Sequence, residues 1–355
     1  MYNNYKYQTF WKKSFKIIIF IEISKMKIIH AICLMLLFFN ISKNSFGQDP
    51  TFSQFYANPL YLSPSFAGSS NTNRFSLNYR DQWPAIPGIF NTYSVSFDKT
   101  IPEYNSGIGV LATYDVAGEG NLSTTNIGVI YTYDFNINKT WHIRPGVEFK
   151  FRYLGLDINK LIFNTQVSQQ GGIPVVLPPQ FDNVAGVDFA SSAIAYNDNI
   201  WGGITIDHML RPKESFYGNY NRVPIKFSLF GGWQVYKRQR LIGKEQDVIS
   251  LSMILEKQDD FYQSNVGVHY TIHPLVFGVW YRGIPFATSQ PGDAVIGLVG
   301  IKTKQFNIGY SYDFTISNLY RSTKGAHEIS LTYQFNINPR LNKSQRMRAL
   351  PCPDF

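Results

Sequence analysis

The chain has 355 residues, 44% of them apolar and 16% aromatic, with 23 Tyr, 28 Phe and a formal charge of +9. Seven lysines and one acid, Glu22, fall in residues 1–47; without that stretch 26 basic and 23 acidic residues remain, and without the tail after Phe335 the balance is 22 to 22. A neutral body gives no argument for nucleic acid, and with Cys33 in the leader and Cys352 near the end, no disulfide closes within the mature chain.

The first element in chain order is a leader. Residues 28–39 form an apolar run broken only by His30, behind Lys25 and Lys27 and ahead of Ser45-x-Gly47. That is the layout of a secretory signal peptide, residues 1–47, cleaved before Gln48. Met26 stands where such a signal would start, so residues 1–25 read as an over-long start. The alternative is a membrane anchor over residues 17–39, but Glu22, Lys25 and Lys27 interrupt it. Neither half reaches the roughly 20 apolar residues that a spanning helix needs.

Residues 48–72 come next. They are rich in aromatics, with Phe52, Phe55, Tyr56, Tyr61 and Phe66, yet have neither a helical nor a strand period, and Pro50, Pro59 and Pro64 would break either one. The expectation is an irregular, plug-like segment wrapped by the remainder of the chain. Residues 49–70 are expected within or across the periplasmic side, with those five rings against the inner wall.

From residue 73 to 335 the period is two. In residues 142–153, Ile143, Val147, Phe149, Phe151 and Tyr153 point one way; Arg144, Glu148, Lys150 and Arg152 point the other. Fourteen such segments are expected, at 74–81, 91–99, 106–114, 122–135, 141–155, 184–196, 199–208, 223–235, 248–257, 261–272, 275–283, 294–303, 305–315 and 325–335. Most are close to the 9–11 residues that cross a bilayer when tilted. Short connections, such as 197–198, 273–274 and 303–304, alternate with long ones, such as 155–183 and 209–222; the basic connection 236–246 and the short 257–260 are exceptions. The fold class is therefore all-β, a transmembrane antiparallel β-barrel of about 14 strands over 73–335. A soluble barrel or sandwich also alternates, but four charges on one inward face are too polar for a packed soluble core. Those four, Arg144, Glu148, Lys150 and Arg152, are expected in the lumen, paired with acids such as Asp134.

The opening segment, the stretch Asn78-Tyr79-Arg80-Asp81-Gln82-Trp83-Pro84 and the stretch Trp280-Tyr281-Arg282-Gly283-Ile284-Pro285-Phe286 together resemble the PorP/SprF family, outer-membrane proteins of type IX secretion and gliding motility in Bacteroidota. The resemblance covers essentially residues 48–335. Ser63 and Ser65 stand where Asn and Ala are expected around Pro64. The resemblance implies an outer-membrane protein that supports export or surface attachment of large proteins such as adhesins; an even strand count is expected to leave both termini in the periplasm. The implied partners are a secreted adhesin or its C-terminal domain, other secretion components and the lipid bilayer.

Residues suited to catalysis are not grouped. The mature chain's histidines, His142, His208, His269, His273 and His327, have no close metal-ligand spacing, and Asp182, Asp188 and Asp198 are too far apart for a calcium loop. No cofactor, metal or enzyme activity is expected. The tail, residues 336–355, carries Arg340, Lys343, Arg346 and Arg348 with Phe355 among three prolines. It is expected to stay in the periplasm and dock on an acidic partner. A second reading is a passive or solute-transport barrel gated by its N-terminal segment, because fourteen strands enclose more space than side chains of the wall alone can fill.

Overall fold

A computed structural model describes residues 49–70, 72–157, 160, 183–216, 221–239, 246–283, 293–316 and 323–335. Its strands are β1 (Asn73–Gln82), β2 (Ile89–Ile101), β3 (Ser106–Gly118), β4 (Leu122–Tyr133), β5 (Phe135–Asn136), β6 (His142–Gly155), β7 (Val184–Tyr196), β8 (Ile200–Asp207), β9 (Lys226–Gln239), β10 (Gln246–Gln258), β11 (Phe261–Ile272), β12 (Leu275–Arg282), β13 (Ala294–Lys302), β14 (Phe306–Thr315) and β15 (Ala326–Phe335). Apart from β4 and β5, sequence neighbours pair antiparallel; β1 pairs with β15, and β4 pairs with β6. Fourteen strands thus close a ring, and the two-residue β5 lies outside it on β6.

The alternation decides which face meets lipid. Ile127, Val129 and Tyr131 on β4 and Phe149 and Phe151 on β6 are exposed, while Ser94, Ser96 and Asp98 on β2 and the four charges of β6 are buried. A continuous outward apolar band is what a transmembrane barrel requires, since lipid leaves no water to cover it. No helix among the described residues is long and apolar enough to cross a membrane.

The expected strand 122–135 is broken at Asp134. Its amide continues the ladder to β3 by donating to the Asn105 carbonyl at 2.8 Å, and its carboxylate accepts from the Tyr196 hydroxyl at 2.6 Å. In place of the strand expected over 223–235, β9 starts later and runs on to Gln239, pairing with β10 as far as Gln246, and Val235 is skipped in the register opposite Ile249 and Ser250.

The connections sort the barrel into two ends. One holds tight turns: Asn197 Oδ1 accepts from the amides of Asn199 (2.9 Å) and Ile200 (2.8 Å), and Asn138 Oδ1 accepts from those of Thr140 and Trp141. Such side-chain acceptors fold the chain back within a few residues. The other end receives the long loops. β1 starts at the short-turn end and β15 finishes there.

Candidate functional site in the barrel lumen

The segment before β1 lies inside the ring. Pro59 and Pro64 each begin a single turn of helix, Pro59–Leu62 and Pro64–Phe66, where a missing amide costs nothing. Residues from Phe52 to Ser69 are buried, with Tyr61 half-buried. The segment is a cord, and its partners give its direction. Asp49 meets the ends of β8 and β10 at the long-loop end, while Gly68 meets β2 and β3 at the short-turn end. The cord therefore runs the length of the lumen, and Asp49 and Phe335 lie at opposite ends.

At the long-loop end the cord is held by charge. His208, just past β8, takes Asp49 on Nε2 at 2.6 Å and Asp188 of β7 on Nδ1. Burial opposes protonation of the imidazole, but the carboxylates of Asp49 and Asp207 and the hydrogen bonds to Asp188 and Asp49 overcome it and push its pKa up to about 10. Burial likewise disfavours the Asp49 carboxylate, yet His208, Lys226 and Arg152 hold its pKa well below the usual range. Asp188, Asp207 and His208 offer atoms within 4.8 Å of one another, enough for a metal. The Lys150 ammonium already sits 2.5 Å from Asp207, and a protonated His208 has no lone pair to give. The cluster is charge-balanced by the chain itself.

Next along the cord, Ser53 and Gln54 enter a cradle. Their amides donate to the Glu328 carboxylate at 2.7 and 2.9 Å. The Arg80 guanidinium spans Asp313 (2.8 Å) and Glu328 (3.2 Å), and Arg282 adds a bond to Asp313 at 2.9 Å. Both guanidiniums also donate to Ser53 Oγ. The middle of the cord packs aromatic rings against one side of the wall. Phe55 meets Trp280 edge-on at 4.9 Å between ring centroids, Tyr56 meets His269 at 4.3 Å, and Phe66 lies 5.7 Å from Phe230 and 6.0 Å from Trp201. At the short-turn end the Gly68 amide donates to Asp98, which is paired with Arg74 at 2.8 Å. The Ala67 carbonyl accepts from Arg144 and from Thr132. Gly107 lets this happen: a β-carbon there would strike the Ala67 carbonyl.

Residues 44–333 match the family described as type IX secretion system membrane protein PorP/SprF. The chain belongs to the PorP/SprF family. No curated protein matches it. Among solved structures it is similar to the P. putida toluene transporter TodX at 11% identity, covering 77% of this chain and 92% of that one with a TM-score of 0.43. A Pseudomonas aeruginosa FadL homologue is similar at 13% identity, 78% and 95% coverage and a TM-score of 0.43. The KdgM porin gives 8% identity, 74% and 99% coverage and a TM-score of 0.33.

In this PorP/SprF barrel four of the rings singled out from sequence, Phe52, Phe55, Tyr56 and Phe66, are buried in the lumen, and Phe52 packs edge-on against the fifth, Tyr61, at 5.0 Å. Arg144 is 3.8 Å from Asp134 and donates to the Thr132 hydroxyl and to the Ala67 carbonyl of the cord. Lys150 pairs with Asp207, Arg152 with Glu214 (3.5 Å) and Asp49 (3.9 Å), and Glu148 lies over Gly128. Arg340, Lys343, Arg346, Arg348 and Phe355 lie outside the described residues. Sequence reasoning missed Arg80, Arg282, Asp313, Glu328 and His208 as anchors. A signal for the arginines existed: both resemblance stretches carry Tyr-Arg, at Tyr79-Arg80 and Tyr281-Arg282, with Arg on the inward face near the long-loop end of its strand.

Proposed function

We propose that this PorP/SprF protein is a non-enzymatic accessory barrel of type IX secretion that supports export or surface attachment of a large secreted protein, such as a gliding adhesin, without passing it through its own lumen. The observation that carries the reading is the cord, tied by an ion pair at the long-loop end and by hydrogen bonds to charged wall residues at the short-turn end, and packed by aromatics between them. Beside it, Phe52, Phe55, Leu62, Thr205, Lys226 and Ile254 line a cavity of about 30 Å³, room for water-sized groups and far too small for a polypeptide. On this reading the client and the other secretion components meet the outside of the barrel, its loops or its tail.

The test is deletion and truncation. Loss of the gene should remove an adhesin from the cell surface, and truncation after Phe335 should leave barrel abundance unchanged while export falls. Normal export from the deletion strain would overturn the accessory role; normal export from the truncated barrel would remove the tail from it. Steady single-channel conductance of the purified wild-type barrel would favour the solute-transport alternative.

A further inference from the structure

The cord touches the two sides of the lumen differently. Towards β8–β13 it is dry: Trp201, Phe230, Ile254, Val276, Trp280, Ile296 and Leu298 belong to one apolar cluster with it. Towards β1 and β2 the inward side chains are Arg74, Ser76, Asn78 and Arg80 on one strand and Thr92, Ser94, Ser96, Asp98 and Thr100 on the other, all buried and none of them apolar. The register puts Asn78, Ser94, Thr113, Asn126 and Arg152 side by side across β1, β2, β3, β4 and β6, one rung of the barrel.

That rung has unmet hydrogen-bonding capacity. Both amide atoms of Asn78, the Ser94 hydroxyl, the Asn126 amide oxygen and the Arg152 Nε have no partner in the chain. Asn78 is 4% exposed and Ser94 1%. In the cord, Asn58 adds two more unpartnered amide atoms; it stands between Gln54, held by β14 and β15, and Leu60, which approaches Gly109 of β3. Buried polar groups in native proteins are almost always satisfied, and each orphan is costly. Five such atoms fall on this one rung, while Arg80, Ser252, Gln263, Asn307 and Asp313 each carry a single one elsewhere in the wall.

The rung also has a way in and a floor. One step nearer the long-loop end, Asp115 and Thr124 are half-buried, as is Asn126 itself, so the approach along β3 and β4 opens to that end. Towards the short-turn end the passage is closed. Leu111 and the Glu148 side chain over Gly128 stop it on β3 and β4, and the Arg74–Asp98 pair, bonded to the Gly68 amide and the Phe66 carbonyl, stops it on β1 and β2.

We infer that Asn78, Ser94, Thr113, Asn126 and Arg152, with Asn58 of the cord, line a blind, water-filled recess that opens at the long-loop end and binds small uncharged molecules able both to donate and to accept hydrogen bonds, water first. The chemistry of the lining selects for this. Amides and hydroxyls supply donors and acceptors together, and the one charge, Arg152, is already matched by Glu214 and Asp49. The recess does not depend on the export role, and it is compatible with a barrel that does not conduct.

The experiment is cysteine accessibility on the purified full-length barrel in a Cys352→Ser background. Asn126→Cys, Ser94→Cys and Ser96→Cys test the recess, and Ser192→Cys, whose native hydroxyl is bonded to Ser65 on the cord, serves as the dry control. Each variant is first checked for the heat-modifiable mobility of a folded barrel, and a small hydrophilic thiol reagent is then added. The expected order is Asn126 fastest, then Ser94, then Ser96, with Ser94 at least tenfold faster than Ser192. Ser94 reacting no faster than Ser192 would overturn the recess. Ser96 reacting faster than Ser94 would overturn its direction of opening. If Ser94→Cys fails to fold, Thr113→Cys on the same rung gives the same reading against Ser192.

Discussion

Two walls of one lumen are equally buried and hold the cord by different means. Trp280 on β12 and Ser94 on β2 are each 1% exposed, yet one packs its ring on Phe55 and donates to His269 at 2.7 Å, and the other has a hydroxyl with no partner in the chain. Burial alone therefore does not measure attachment. On the aromatic wall, removing atoms removes contacts and leaves a hole; at Ser94 it removes little that the chain itself provides, although Arg74, Asp98 and Thr100 of the same wall bond the cord near Gly68.

The largest expected effect is on the aromatic wall. Trp280→Ala should destabilise the packed lumen by about 3–5 kcal/mol through lost transfer energy and the cavity left behind. The sign would be a protease cut in residues 49–70 of a barrel that keeps its heat-modifiable mobility. A cord that remains resistant would mean that the aromatic wall does not hold it. Next comes the charged end. His208→Gln keeps a hydrogen-bonding side chain but cannot be cationic between Asp49 and Asp188, and should cost about 1–3 kcal/mol, seen as faster labelling of a Thr51→Cys probe than in the wild-type barrel. Equal rates would show that the ion pairs at that end are dispensable.

The pH dependence sharpens the same contrast. His208 is raised from 6.5 to about 10, so the stability it contributes is fully present below 6.5 and fades as pH rises through about 10. Asp49 is depressed below 3.8, so its contribution is present above 3.8 and is lost as acid brings the pH down through its lowered value. The groups facing this pair are Asp188 on β7, Asp207 on β8, Lys150 and Arg152 on β6, Lys226 on β9, Gln258 on β10 and Glu214 in the loop beyond β8. The Thr51→Cys probe should react faster between pH 8 and 10 in the wild type, and His208→Gln should flatten that rise. The smallest effect belongs to the hydroxyl wall: Ser94→Ala should shift stability by no more than about 0.5 kcal/mol. A loss several times larger in thermal unfolding would assign Ser94 a direct bond to the cord.

The barrel was legible because its period is repeated in every strand and each strand confirms the next. Phe149 and Phe151 outward with Glu148, Lys150 and Arg152 inward can be read in one glance at β6. The break before Phe135 was not legible, because it falls where the register sets Tyr133 opposite Pro145, and that pairing is fixed only by β6. The direction of the cord was hidden for the same reason: Asp49 meets a residue 209 positions away and Ser53 one 275 away. His208 sits just after a strand and becomes an anchor only when Asp49 and Asp188 arrive on either side of it.

The bond from Ser53 and Gln54 to Glu328 has a consequence for how the molecule is built. Glu328 belongs to β15, the strand whose pairing with β1 seals the ring. The first described turn of chain and the last strand to be synthesised meet at one carboxylate. A segment fastened at both mouths is not easily drawn through a finished cylinder, so the wall must wrap around it, as staves are set around a former. Assembly then waits on contacts between the two ends of the sequence, the kind of closure that makes a fold slow to complete. The cord is what tells the last hairpin that the circle is full.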